Sequence, residues 1–191
     1  DQARPVRQEN TQESRSPAFS PDSRQLAFWA NGHIKRLAID DSVPVVVVAM
    51  PERPMGMQWA DDGFIYVGRA DQGIWRVPAN GGDFEQTLAL DAGEHAHGPE
   101  LLPGGEWLLF TLSRDVRGWA DASIVAQSLK SSERRVLVRR GREVRYTTSG
   151  HLIYVQNSTL FAMPFDLDRM EVSGAAVAMV DGIHTSLLDE T

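Results

Sequence analysis

The sequence contains no cysteine, which excludes disulfides, thiol nucleophiles and cysteine-ligated zinc. It also lacks a long apolar run. The longest candidate, residues 43–50, is broken by Pro44 and falls short of the ~18 residues that span a bilayer as a helix. No direct membrane insertion is expected of this segment. Positive charge is in deficit, since 19 Lys and Arg stand against 26 Asp and Glu for a net charge of −7. A nucleic-acid surface needs clustered Lys and Arg to displace counterions from phosphate, so no nucleic-acid partner is expected. The one basic cluster, residues 134–145, is interrupted by Val136, Leu137 and Val138 and reads as a strand with charged flanks. No stretch shows strong 3.6-residue periodicity, so no helix is expected. The chain begins at Asp1 without a basic-plus-apolar leader. The expectation is a processed or excised piece, its targeting signal or anchor removed with the rest.

What is present is a repeat. With 191 residues, 42% of them hydrophobic, the chain is long enough to bury a sizeable core. Four turn-plus-strand units align: Ser20-Pro21-Asp22-Ser23 leading into Leu26-Ala27-Phe28; Asp61-Asp62-Gly63 into Phe64-Ile65-Tyr66-Val67; Pro103-Gly104-Gly105 into Trp107-Leu108-Leu109-Phe110; and Thr148-Ser149-Gly150 into Leu152-Ile153-Tyr154-Val155. With Ser23, Gly63, Gly105 and Gly150 taken as equivalent, the spacings are 40, 42 and 45 residues. That period belongs to propeller blades of four antiparallel strands, for which ~40–45 residues is typical.

Each unit repeats one internal order. A short strand runs into the turn, a second apolar strand leaves it, and a third alternates like a half-buried edge (residues 34–37, 74–77, 124–127 and 160–163). A polar turn, such as Asp40-Asp41-Ser42, then precedes a fourth strand. The fold class is therefore all-β, a β-propeller of about four blades and an incomplete arc of a larger one. The expected blades are residues 14–50, 51–90, 91–138 and 139–180. Residues 1–13 read as a tail or the last strand of a preceding blade, and residues 181–191, with His184, as the start of a further one. Open blade edges in such an arc would invite a homo-oligomer.

Ser16-Pro17-Ala18-Phe19-Ser20-Pro21-Asp22 followed by Leu26-Ala27-Phe28 resembles the repeat of TolB-like, WD40-like propellers of the periplasmic Tol–Pal system. Gly73-Ile74-Trp75-Arg76-Val77-Pro78-Ala79-Asn80-Gly81-Gly82 resembles a blade-closing turn in the C-terminal propellers of one group of bacterial serine/threonine protein kinases. The blocks at residues 99–105, 146–154 and 159–166 resemble those propellers too, so the likeness runs from Ser14 to Ile183. It implies a protein or peptide partner and an extracytoplasmic location, periplasmic or in the cell envelope, within a larger membrane-anchored protein. The kinase domain itself is absent: no Gly-x-Gly-x-x-Gly loop occurs, and Arg114-Asp115 lacks both the His and the Asn of a catalytic loop.

The sites that tempt a functional reading are few. Glu94-His95-Ala96-His97 places two imidazoles at the spacing that shares one strand face, a geometry that can hold zinc. No metal motif relates them to His33, His151 or His184, and the segment reads as a loop between blades, so no metal is expected. No Gly-x-Ser-x-Gly elbow occurs. Asp61-Asp62 and the Asp166/Asp168 pair read as turn acceptors rather than acid–base or calcium carboxylates. Four of the five tryptophans (Trp29, Trp59, Trp75 and Trp107) sit at strand positions and read as blade packing. Trp119, in the polar excursion 114–122, is placed for a surface contact. Asn157-Ser158-Thr159 matches a glycosylation acceptor. The segments joining one blade to the next, residues 51–56, 91–99 and 139–145, bring Arg53, Glu94, His95, His97, Arg142 and Arg145 towards one channel mouth. Cationic and imidazole groups there, with Trp119, suit a peptide carboxylate or another acidic ligand.

The expectation is a propeller module for binding or sensing, with no enzyme activity, no cofactor and no catalytic residue. The rival is the substrate-gating propeller of a prolyl-oligopeptidase-like hydrolase whose catalytic domain lies elsewhere.

Overall fold

The computed structural model describes residues 14–40, 43–115, 118–131 and 133–183. Every regular element among them is a strand, and the strands form four antiparallel sheets. The first sheet takes β1 (Arg15–Phe19), β2 (Gln25–Ala30), β3 (His33–Ala38) and β4 (Val45–Ala49) in chain order. The second takes β5 (Met57–Trp59), β6 (Phe64–Gly68), β7 (Ile74–Pro78) and β8 (Glu85–Leu88). The third is built from β9 (His95–Leu101), β10 (Trp107–Ser113), β11 (Ser123–Ser128) and β12 (Arg134–Arg139). The fourth has β13 (Arg142–Thr147), β14 (His151–Gln156) and the long β15 (Thr159–Asp166), whose far edge is shared by β16 (Glu171–Val172) and β17 (Val177–Asp181).

Turn chemistry explains the meander. Asn31 and Gly32 join β2 to β3 at φ 52° and 74°, and Asn157 and Ser158 join β14 to β15 at 48° and 62°. Two-residue turns with both φ positive match the twist of the strands they connect, and Asn tolerates that conformation. The turns that open each repeat use aspartate as a local acceptor. Asp22 Oδ1 takes the Ser20 hydroxyl at 2.6 Å and the Arg24 N–H at 3.0 Å. The Ser20 hydroxyl and the Arg24 N–H hold the Asp22 carboxyl below its ordinary value. Asp62 Oδ1 takes the Phe64 N–H at 3.1 Å, and Asp62 Oδ2 takes the buried Tyr66 hydroxyl at 2.8 Å.

Two compact units divide the chain: residues 1–92 with 96–101, and residues 93–95 with 102–191. In the first, Ala27, Trp29, Ile34 and Val47 meet Met57, Ile65, Val67 and Val77 in one core. Trp29 Nε1 donates to the Met50 carbonyl at 2.8 Å. In the second, Leu109, Ile124 and Ala126 meet Val144, Leu152, Tyr154, Met163 and Phe165. Tyr154 stacks on Phe161 at 5.6 Å, and Tyr146 meets Phe165 edge-on at 6.1 Å. Each fully buried aliphatic here contributes ~1.5–3 kcal/mol.

The structure corrects several readings. β3, β7, β11 and β15 are interior strands, each bonded on both sides. They alternate because the two sheet faces differ, and the outermost strand is the next one. His95 and His97 lie in β9 rather than in a loop. Arg142 and Arg145 lie in β13, so the link before it is only Arg140 and Gly141. β16 interrupts the expected polar turn at 166–174. The expected tail 1–13, the turn residues Asp41 and Ser42, and His184 lie outside the described residues. Among the described residues no helix is long and apolar enough to cross a membrane.

Candidate functional site

In the second unit, one end of the third sheet carries the basic cluster seen in the sequence. Ser123 pairs with Arg139 where β11 begins and β12 ends. The chain then turns through Arg140, at φ 60°, and Gly141 into β13. The Gly141 N–H donates to the Ala122 carbonyl at 3.0 Å, and the Ala122 N–H donates to the Trp119 carbonyl at 3.2 Å. Arg140 Nε reaches Asp121 at 3.2 Å, both side chains being exposed. The excursion bearing Trp119 and the link flanked by Arg139 and Arg142 are thus tied through Ala122. The excursion is itself held by Ser113, whose Oγ lies 3.1 Å from the carbonyls of both Asp115 and Gly118.

Gly141 is required there for room. A Cβ on it would stand 2.8 Å from Ile124 Cδ1 and 3.1 Å from both Tyr154 and Val138. The link is pressed onto the core, and the arginines on either side of it are correspondingly fixed at the backbone. Arg139 is exposed and Arg142 half-buried. Neither makes a side-chain hydrogen bond or ion pair with any described residue. Arg142 opposes Val155 and Arg145 opposes Ile153, with a bulge between them where Glu143 takes φ 55°. Arg145 Nη1 donates to the Val144 carbonyl at 2.8 Å.

Glu94 has a different character. Its side chain is 1% exposed, and Arg134 Nη1 donates to its two oxygens at 2.9 and 2.7 Å. Arg114 adds a contact at 3.1 Å from a side chain that is 79% exposed. Gln127 Oε1 accepts Arg134 Nε at 2.7 Å. A carboxylate saturated by two guanidiniums is a fixed counter-charge and is poorly suited to proton transfer. His95 is half-buried beside it in the chain. No group of three or more metal-ligating side chains occurs among the described residues.

The first unit holds Arg53 and His97. The Gly98 N–H donates to the Met55 carbonyl at 2.7 Å, the Met55 N–H to Gly68 at 2.8 Å, and the Gly68 N–H to Gly56 at 3.1 Å. A Cβ on Gly56 would lie 2.7 Å from Gly98 Cα and 3.7 Å from His97 Cε1. The loop of Arg53 is therefore knitted to the strand of His97. Close by in sequence, the Arg69 guanidinium lies 5.0 Å from the Trp75 ring and 5.5 Å from Phe84, and reaches Glu52 at 3.3 Å.

The predicted residues thus fall into groups: Arg53 with His97 in the first unit, and Trp119 with Arg142 and then Arg145 in the second. Sequence reasoning placed Glu94 in an imidazole cluster and missed Arg134 and Arg114 as its partners. Their separations of 40 and 20 residues leave no local spacing to read. It also left Arg139 unsingled, although Arg139 stands in the same segment as Arg142.

No protein-family model matches the sequence. A stretch covering 36% of the chain is 26% identical to dipeptidyl-peptidase 5 of Aspergillus oryzae, and the Aspergillus flavus counterpart matches equally. The match spans only 11% of the length of those relatives. Among solved structures, the calcium-binding protein regucalcin of Agrobacterium tumefaciens is similar over 95% of this chain and 63% of its own, at TM-score 0.69 and 14% identity. A TolB structure from Agrobacterium tumefaciens matches 69% of this chain and 52% of its own, at TM-score 0.56 and 20% identity. A luciferin-regenerating enzyme matches 88% and 60%, at TM-score 0.66 and 8% identity. Identities this low carry the fold and leave the activity open. The expectation that the chain is no enzyme is accordingly withdrawn, because the similar folds include an enzyme and one stretch of the sequence is similar to part of a dipeptidyl-peptidase. The four sheets and these similarities make the fold that of a β-propeller.

Proposed function

We propose that this chain is the recognition module of a larger protein and that its second unit takes a carboxylate of a protein or peptide partner. The observation that carries this reading is the position of Arg139 and Arg142. They flank a link pinned to Ala122, beside the Trp119 excursion, with no acidic partner among the described residues. Guanidinium groups form bidentate, charge-assisted bonds to carboxylates, and a neighbouring indole supplies flat apolar contact. Arg145, on the same strand as Arg142, extends the positive edge. Arg53 and His97 give the first unit a smaller basic group of its own. The likeness in fold to a TolB structure favours an extracytoplasmic setting for the larger protein.

The test is fluorescence polarisation with a panel of labelled peptides, each with a free or an amidated C-terminus. The reading predicts that the free carboxylates bind and the amides bind at least tenfold more weakly. It also predicts that Arg142→Ala removes the difference. Equal binding of both forms would sink it.

A second reading has one observation in its favour, the stretch similar to dipeptidyl-peptidase 5. On that reading the sheets filter substrates for a hydrolase domain elsewhere in the larger protein. A fluorophosphonate probe added to the intact parent protein distinguishes the two: covalent labelling supports the hydrolase, and no labelling removes it.

A further inference from the structure

Arg69, just after β6 in the first unit, has a guanidinium whose polar edge is only half used. Its Cζ lies over the Trp75 ring, 5.0 Å from the centroid, and 5.5 Å from that of Phe84. The side chain is 16% exposed. Both rings are themselves held, since Trp75 Nε1 donates to the Gln72 carbonyl at 2.9 Å and Phe84 packs against the first unit's core. Aromatic faces steady a guanidinium and strip it of water, but they accept none of its in-plane N–H bonds. Among the described residues the one acceptor is Glu52, whose Oε2 meets Nη2 at 3.3 Å from a side chain that is 54% exposed. The buried Nε finds no acceptor among those residues. A carboxylate set side-on to an arginine takes Nε–H and Nη2–H together, one oxygen to each.

Glu52 falls short of that pair because its backbone is held. Pro51 and Pro54 flank it and Arg53, and proline fixes φ. The Met50 N–H donates to the Gly32 carbonyl and the Met55 N–H to the Gly68 carbonyl, both at 2.8 Å. Arg69 is fixed as firmly. Its N–H donates to the Gly73 carbonyl at 2.8 Å, and its carbonyl accepts the Gln72 N–H at 2.9 Å. Ala70 beside it takes φ 49°, a left-handed conformation that alanine rarely adopts. The bond from the Ala96 N–H to the Ala70 carbonyl, at 3.1 Å, helps to hold it there. Such strain persists where the surrounding structure presets a functional group.

We propose that Arg69 anchors a carboxylate site in the first unit, and that Glu52 occupies it as a displaceable stand-in. The incoming carboxylate takes Nε and Nη2 side-on while Glu52, already half in solvent, rotates away. An exposed ion pair with a single contact is weak, so Glu52 yields to a ligand that makes both bonds. The site uses none of the second unit's arginines and stands or falls without them.

Side-chain NMR of the 191-residue chain reads the site through the Arg69 Nε–Hε signal, the one that Arg69→Lys deletes. The probes are glutarate and a short peptide with one internal glutamate, acetylated and amidated so that it has no terminal carboxylate. Sodium chloride at matched ionic strength is the blank. Each probe is titrated into wild type, Glu52→Ala and Glu85→Gln. Glu85, paired with Arg76 at 2.8 Å, controls for the loss of a negative charge. The signal is expected to shift, with binding at least tenfold tighter in Glu52→Ala than in wild type and unchanged in Glu85→Gln. The Arg139→Ala/Arg142→Ala variant is expected to match wild type, so failure of the second unit's site leaves this result standing. Binding of glutarate alone assigns a free acid as ligand, and binding of the peptide assigns an acidic side chain of a partner. A signal unmoved by both probes, or equal affinity in wild type and Glu52→Ala, would overturn the proposal. So would equal tightening in Glu85→Gln, which would reduce the effect to net charge.

Discussion

Gly141→Ala is the sharpest probe of how the arginine-bearing link is held. Its φ is not in the left-handed region, so alanine is acceptable to the backbone and the cost is purely one of space. The added methyl would meet Ile124 Cδ1 at 2.8 Å and the Tyr154 and Val138 side chains at 3.1 Å. Ile124 and Tyr154 belong to one tightly packed core. Overpacking of that kind costs about 1–3 kcal/mol. Ile124→Val deletes the atom in closest conflict and by itself costs about 0.5–1.5 kcal/mol. The two changes should not add. The double variant is expected to recover at least ~0.5 kcal/mol relative to the sum, the coupling typical of residues in contact. Urea unfolding followed by tryptophan fluorescence gives the four stabilities of the cycle. Strict additivity, or a Gly141→Ala variant as stable as wild type, would refute the claim that the link lies against the core.

Other outcomes follow from the polar groups and turns. Arg134→Ala removes the closer cation from the buried Glu94 and leaves it Arg114, and should cost about 1–3 kcal/mol, whereas Arg114→Ala, at a largely exposed side chain, should cost under about 1 kcal/mol. Urea midpoints for the two variants check the contrast. Burial, and then the hydrogen bond to Asp62, push the Tyr66 hydroxyl up to about 12 from 10.0. The unfolded chain therefore gives up this proton first, and the stability tied to it is present below pH ~10 and lost between ~10 and ~12. Tyr66→Phe should flatten that part of the stability profile, and an unchanged slope would contradict the assignment. Gly63→Ala and Gly73→Ala both force alanine to φ near 84°. Gly63 has open space around it while a Cβ on Gly73 would lie 2.1 Å from the Leu88 carbonyl. Thermal unfolding should show a loss of about 1 kcal/mol at Gly63 and a clearly larger one at Gly73.

The strands were legible because turn and strand chemistry agree at each repeat. Asp22 and Asp62 mark turns that aspartate closes with its own acceptor oxygen, and the apolar runs after them become β2 and β6. Position within a sheet was not legible, since alternation along β3 or β7 records that the two faces differ and says nothing of what lies on the next edge. β16 escaped because two residues, Glu171 and Val172, are too short to show a period. At the site, the basic character of residues 134–145 was plain, but the partners were not. Arg134 is consumed by Glu94 and Arg140 by Asp121, while the side chains of Arg139 and Arg142 make no ion pair with a described residue. Only the folded chain makes that division among arginines that look alike in sequence.

The most direct test of the central claim is calorimetric titration of the 191-residue chain with a peptide of free C-terminus, repeated on the Arg139→Ala/Arg142→Ala double variant. Carboxylate recognition at this link predicts measurable binding to the wild type and a loss of at least tenfold in the double variant, with the unfolding midpoint unchanged. Binding of the same strength to both proteins would contradict it.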